Sequence, residues 1–185
     1  RVPLMVALHG YGQREENVVD AVREAAAASG VIVVAPRAPQ PLRAGFAWTG
    51  NIETHMIVED AIERAAAVYN IDRDRIILFG FSQGGHNALT MAMRYPGQFH
   101  GLIAVGARYA PEVLGSIDRK PPRMPRYYLM VGANDPVLEE TRKAAADLKA
   151  MHAPVHLEVY PDIGHAYPTR RDEELIKAID FALGR

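Results

Sequence analysis

The segment from Arg75 to Asn87, RIILFGFSQGGHN, leaves the chain few folds to choose from. Arg75 to Phe79 is an apolar run rich in Ile, Leu and Phe that stops at Gly80, the pattern of a buried strand entering a sharp turn. After Ser82 come Gln83, Gly84 and Gly85, then a helical pattern with Leu89, Ala92 and Met93 on one face, ended by Tyr95-Pro96. A serine at such a strand–turn–helix junction, spaced G-x-S-x-G between Gly80 and Gly84, sits in a strained backbone that exposes its hydroxyl at the sheet edge. A side chain at 80 or 84 would collide with the neighbouring strand or helix, which is the reason for the glycines. A bare glycine-rich turn with a solvent-facing serine carries the same five residues. The two readings separate on whether the rest of the chain supplies a base, an orienting acid and an oxyanion site.

The same alternation of strand and helix runs from end to end. Val2–Leu8 is a continuous hydrophobic run, as in a central parallel strand covered on both faces, and leads into His9-Gly10-Tyr11-Gly12. Arg14–Ser29 places Val18, Val22, Ala25 and Ala26 on one helical face and stops at Gly30. Val31–Ala35 is a second buried strand. A long loop to about Ile52 carries Phe46 and Trp48, and Glu53–Tyr69 is a helix, with Asn70–Asp74 turning into the serine strand. Strands follow at Gly101–Gly106, Arg126–Val131 and Pro154–Val159. Helices are expected at Leu138–Met151 and after Thr169, which offers a cap with Asp172 three residues on. Arg108–Pro125 is a second long, proline-rich loop. The pattern predicts an α/β fold across residues 1–185 as a single domain: a doubly wound, mostly parallel sheet of about six strands with helices on both faces. In such sheets the loops leaving the C-terminal strand ends gather on one edge, where ligands bind. His9–Gly12, Phe46–Trp48, Ser82, Arg108, Asp135 and His165 all lie in loops of that class.

Composition narrows the chemistry. With 21 basic against 22 acidic residues and no block of like charge, nothing points to a nucleic-acid partner or an anionic membrane. The absence of cysteine removes thiolate nucleophiles, disulfides and Cys-ligated metals. No apolar run reaches the roughly 18 residues of a membrane-spanning helix, and no signal peptide is present, which points to the cytoplasm. The chain starts without an initiator Met, nearly inside its first strand, as a piece of a longer protein would.

A serine hydroxyl needs a base within hydrogen-bond reach to become a nucleophile. Of seven histidines, His165 is best placed, in the loop after the last strand. His86 follows Ser82 by four residues, on a helix expected to carry it away from the hydroxyl. His152 and His156 have metal-pair spacing but are separated by Pro154; His9 reads as a brace for its loop, and His55 and His100 as surface residues. The imidazole needs an acid to fix its tautomer. Asp135, directly after the penultimate strand, is the candidate, and Asp162, three residues before His165, competes with it. The order Ser, Asp, His is the one expected of this sheet architecture. Backbone N–H groups of Gln83, at a helix start, and of Tyr11, between two glycines, are the candidate oxyanion donors.

HGYG after the first strand, GFSQGG at the turn, GANDPV after the next-to-last strand and GH after the last resemble the α/β-hydrolase fold, in particular its phospholipase/carboxylesterase family, which includes acyl-protein thioesterases. The resemblance spans nearly the whole chain and implies a serine esterase without cofactor or metal. It implies Ser82 as nucleophile, His165 as base, Asp135 as acid, and Tyr11 and Gln83 as oxyanion donors. The opening strand hairpin of that family is missing here, and the 108–125 segment departs from its pattern.

The leading expectation is hydrolysis of small-molecule carboxylic esters or thioesters through an acyl-enzyme. A hydrolase-like module that captures a small ligand without turnover, and a peptidase of the same fold, are the alternatives. Phe46, Trp48, Tyr11 and Tyr167 are candidates for an apolar substrate wall favouring short to medium acyl chains, unless Phe46 and Trp48 only anchor their own loop. Arg108 is a candidate for binding an acidic substituent, with pairing to Glu112 the other fate of its charge. No helical lid is expected in the two long loops.

Overall fold

A computed structural model describes residues 1–112 and 123–185. In chain order its elements are β1 (Val2–Leu8), α1 (Glu15–Ala28), β2 (Ile32–Val34), β3 (Gln40–Pro41), β4 (Phe46–Ala47), α2 (Asn51–Val68), β5 (Ile71–Phe81), α3 (Gln83–Arg94), β6 (Gly101–Val105), β7 (Arg126–Gly132), α4 (Leu138–Ala150), β8 (Val155–Tyr160) and α5 (Arg171–Leu183). Six strands form one sheet in the order β2-β1-β5-β6-β7-β8, and every neighbouring pair in it is parallel. This is the doubly wound parallel sheet expected from the alternation, and the α/β-hydrolase architecture that the motif resemblance implies.

Both faces of the sheet are covered, which is why β1 reads as an unbroken apolar run rather than an alternating one. Leu4, Val6 and Leu8 pack into a layer with Val58 of α2, Leu89 of α3 and Leu148 of α4, while Met5 and Ala7 face Val22 of α1 and Ile179 of α5. Residues 4–8 are fully buried, and each large apolar side chain so placed contributes about 1.5–3 kcal/mol. Among the described residues no helix is long and apolar enough to cross a membrane.

Three local expectations change. The serine strand starts at Ile71 rather than Arg75, because buried Ile71 pairs with Val2 and the register then shifts before Leu4 meets Ile76. The residues between swing outward, where Asp72 pairs with Arg75 and Arg73 with Glu63. The loop to Ile52 contains a short antiparallel pair, β3 with β4. Thr169 does not cap α5, whose N-cap position is Arg170 with no side-chain capping bond. Of the second long loop, residues 113–122 lie outside the described residues, and with them the expectation that it holds no lid.

Candidate active site

The strand order sets the site. The chain runs outward from β1 through α1 to β2, then returns through α2 to β5 on the other side of β1. Helices leaving β1 and β5 therefore lie on opposite faces, and a crevice opens between the C-terminal ends of these two strands. The turns holding Tyr11 and Ser82 stand at that crevice.

Ser82 has φ 54° and ψ −117°, a left-handed conformation that non-glycine residues rarely adopt. It is held by its neighbours: the Ser82 N–H donates to Val105 O at 2.8 Å and its carbonyl accepts from His86 N–H at 2.9 Å. The elbow is tight enough to exclude side chains at both flanking glycines. A Cβ on Gly84 would lie 2.2 Å from Leu8 O, and one on Gly80 would lie 2.4 Å from Gly84 O.

Ser82, His165 and Asp135 are brought into one hydrogen-bonded line. His165 Nδ1–H donates to Asp135 Oδ2 at 2.8 Å, since a carboxylate can only accept. That tautomer leaves the Nε2 lone pair for the Ser82 hydroxyl, which donates to it across 2.8 Å. Asp135 is buried, and its other oxygen accepts the Val137 N–H at 3.0 Å. Asp162 instead occupies an exposed left-handed turn with φ 60°. A residue the sequence reading passed over, Gly106, lets the pair lie against the end of β6: a Cβ there would be 3.0 Å from His165 Cε1 and 3.1 Å from Asp135 Oδ2.

On the β1 side of Ser82 the loops are fastened to one another. Gly12 N–H donates to Phe46 O and Phe46 N–H to Gln13 O, both at 2.9 Å, while Gln13 Oε1 accepts the Gly10 N–H. Among the described residues the N–H groups of Tyr11 and Gln83 have no hydrogen-bond partner. His9 is a buried brace: Ala38 N–H donates to its Nε2, so Nδ1 carries the proton and donates to Gly10 O. Burial holds this imidazole below its ordinary pKa of 6.5, and protonating Nε2 would also cost the Ala38 bond.

The aromatic wall expected from Phe46, Trp48, Tyr11 and Tyr167 does not form. Trp48 is only 3% exposed, packed in the core with its indole N–H donating to His9 O at 2.8 Å. Phe46 lies between the guanidinium groups of Arg14 and Arg37, 5.2 and 4.9 Å from its ring centre. Tyr167 stacks on Phe81 at 4.7 Å, and Phe81 in turn lies beside the His165 ring. Tyr11 points its ring into solvent. Trp48 and Phe46 anchor their own loop, Tyr167 packs on the end of β5, and none of the four lines the cleft beside Ser82.

That cleft lies on the other side, an open space of about 890 Å³ reached from Ser82 and His165 and walled by Tyr109, Val137, Arg108 and Glu140, with His86 and Glu112 also facing it. Arg108 borders this cleft, and its charge meets Glu140 at 3.8 Å rather than Glu112. Glu140 also accepts the Tyr109 N–H at 3.1 Å. The Tyr109 hydroxyl donates to Asp147, and burial together with that carboxylate raises its pKa, so the phenol stays neutral. His86 joins the cleft wall, with its Nδ1–H donating to Arg108 O at 3.3 Å. Its ring does not bond to the Ser82 hydroxyl, whose partner is His165. His55 is buried rather than at the surface, stacked on Tyr95 and bonded to Gln98; His100 is partly buried on Asp74 O. His156 stacks on Tyr128 and faces Glu158, apart from His152 in its turn, and no cluster of the described residues has a metal-binding arrangement.

Residues 2–183 match the sequence family described as phospholipase/carboxylesterase. The chain belongs to that family. Family membership makes it a carboxylesterase-type hydrolase. No curated protein matches the sequence significantly. Among solved structures, esterase PE8 superposes with TM-score 0.83 at 23% identity, covering 98% of this chain and 93% of its own. SOBER1 of Arabidopsis thaliana gives 0.76 at 16% identity, over 96% and 97%. The Bacillus cereus carboxylesterase gives 0.73 at 18%, over 98% and 87%. At these identities the likeness is one of fold.

In this phospholipase/carboxylesterase family member, the site residues that sequence reasoning missed are Gly106, Tyr109, Glu140 and the side chain of Gln83. Only Gly106 had a readable signal, a glycine ending a buried strand. Glu140 sits on a helix face that periodicity marks simply as polar.

Proposed function

We propose that this enzyme hydrolyses small carboxylic esters or thioesters through an acyl-enzyme on Ser82. What supports the reading is one observation: Asp135, His165 and Ser82 form a continuous hydrogen-bonded line with both links at 2.8 Å. Ser82 Oγ attacks the acyl carbonyl as its proton passes to His165 Nε2, and the buried Asp135 carboxylate stabilises the resulting imidazolium. The tetrahedral oxyanion rests on the partnerless N–H groups of Tyr11 and Gln83, the latter at the N-terminus of α3. Collapse expels the alcohol or thiol, which takes the proton from His165. Water then attacks the acyl-enzyme by the same route and releases the acid and free Ser82.

The cleft argues for the substrate class. Among the described residues, the charged and polar groups of Arg108, Glu140, Glu112 and His86 share its lining with apolar patches from Tyr109, Val137, Pro136 and Ala110, so the apolar surface is interrupted. A long alkyl tail gains about 0.8 kcal/mol per methylene only where it meets apolar surface. Short to medium acyl chains in soluble esters are therefore the proposed substrates. A rate panel across acyl length, with oxygen and sulfur leaving groups side by side, tests this. The expected profile peaks at short to medium chains, whereas activity confined to long-chain lipid esters would refute it.

A further inference from the structure

Gln83 contacts the site twice, and only its backbone N–H belongs to the chemistry proposed above. Its side-chain carboxamide reaches across the crevice to the backbone of Trp48: Oε1 accepts the Trp48 N–H and Nε2 donates to the Trp48 carbonyl, both at 3.0 Å. These two bonds satisfy both polar groups of one peptide residue, like one rung of a sheet. Trp48 directly follows β4, whose Phe46 exchanges two backbone bonds with the turn at Gly12 and Gln13. That turn carries the Tyr11 N–H. The elbow end of the clamp is itself fixed, since buried Asn87 donates Nδ2–H to Gln83 O at 2.9 Å.

We infer that the Gln83 side chain is a positioning residue that holds the Tyr11 N–H in register with the Gln83 N–H, by gripping the Trp48 backbone. One residue thus supplies one donor and sets the place of the other. A preorganised donor loses effect when it is displaced from the oxyanion. A tether between two separate loops is the direct way to prevent that displacement. The inference rests on the acyl-transfer reading of Ser82.

Gln83→Met tests it, keeping side-chain length and the backbone N–H while removing both bonds to Trp48. On p-nitrophenyl acetate, kcat is expected to fall about 10- to 100-fold, part of the 10²–10³ that loss of a whole donor costs. KM should stay within about threefold of wild type. A lower melting temperature with wild-type kcat per folded molecule would mark a merely structural contact and overturn the inference. A second arm pairs Gln83 with Gln13, whose side chain braces the same turn from its far end. The kcat losses of Gln83→Asn and Gln13→Ala should combine less than multiplicatively if both act through that loop, and fully multiplicative losses would overturn the tether. Ser82→Ala is the control. Full turnover in Ser82→Ala would remove the acyl-transfer reading itself, while an inactive Ser82→Ala beside a fully active Gln83→Met would remove only the clamp.

Discussion

On the β1 side of Ser82, Trp48 is buried, Phe46 is flanked by two arginines, and backbone bonds join the Gly10–Gln13 turn to β4. On the β6 side, Arg108, Tyr109, Glu140 and Val137 stand around open space. The first flank holds Tyr11, Phe46 and Trp48, yet none of the three lines the cleft beside Ser82. The second holds the cleft, and its lining mixes charged side chains with apolar ones. An aromatic residue in a loop beside a nucleophile is thus poor evidence for a substrate wall. A loop beside the nucleophile must itself be anchored, and Trp48, packed into the main core with its indole N–H on His9 O, anchors this one.

The sharpest way to break this contrast is at the acid. Asp135→Asn should keep the fold and lower kcat by about 10⁴-fold, because an amide cannot hold His165 in the productive tautomer. If Asp162→Asn causes that loss instead, the buried position of Asp135 has been misread. Next in size is Trp48→Ala, expected to cost about 3–5 kcal/mol of stability in chemical denaturation, the range for truncating a buried tryptophan. Tyr11→Ala, which removes an exposed ring, should stay within about 0.5 kcal/mol. A Trp48→Ala protein of normal stability with a raised KM would restore the discarded wall.

On the open flank, Arg108→Ala should alter kcat/KM for acyl groups bearing a carboxylate by up to about tenfold relative to neutral ones, an effect of roughly 1.4 kcal/mol. Its long contact with Glu140 is exposed, so stability should hardly change. Equal losses on charged and neutral esters would show that Arg108 does not select substrates. The smallest effect is the dependence of stability on pH. Burial lowers the folded-state pKa of His9 and of His100 below the ordinary 6.5. The unfolded chain therefore takes up these protons first, and stability declines as pH falls from about 6.5 toward the folded values, below which the loss is complete. Urea titrations at stepped pH should show His100→Gln removing part of that slope and His9→Gln a further part. An unchanged slope in both would contradict the assignment.

Much of the closed flank and of the proposed triad was legible in the sequence, because each feature has a local cause. A strand stopping at Gly80, glycines that admit no Cβ and an acid directly after β7 are written in consecutive residues. That the sheet is parallel and covered on both faces follows from its continuous apolar runs. Side-chain direction across a loop is not encoded that way. Trp48 is turned into the core with its indole N–H on the His9 carbonyl, and Glu140 is turned to the cleft with a carboxylate oxygen on the Tyr109 N–H, contacts that no local pattern marks. The Gln83 clamp joins residues 35 positions apart, a pairing that periodicity does not reveal.

The role of Ser82 as nucleophile is tested most directly by a fluorophosphonate probe followed by peptide mass analysis. One equivalent of phosphonate should appear on the peptide containing Ser82, with reaction abolished in Ser82→Ala and strongly slowed in His165→Ala. A protein that hydrolyses esters while leaving Ser82 unlabelled, or that carries the label on another residue, would contradict the assignment.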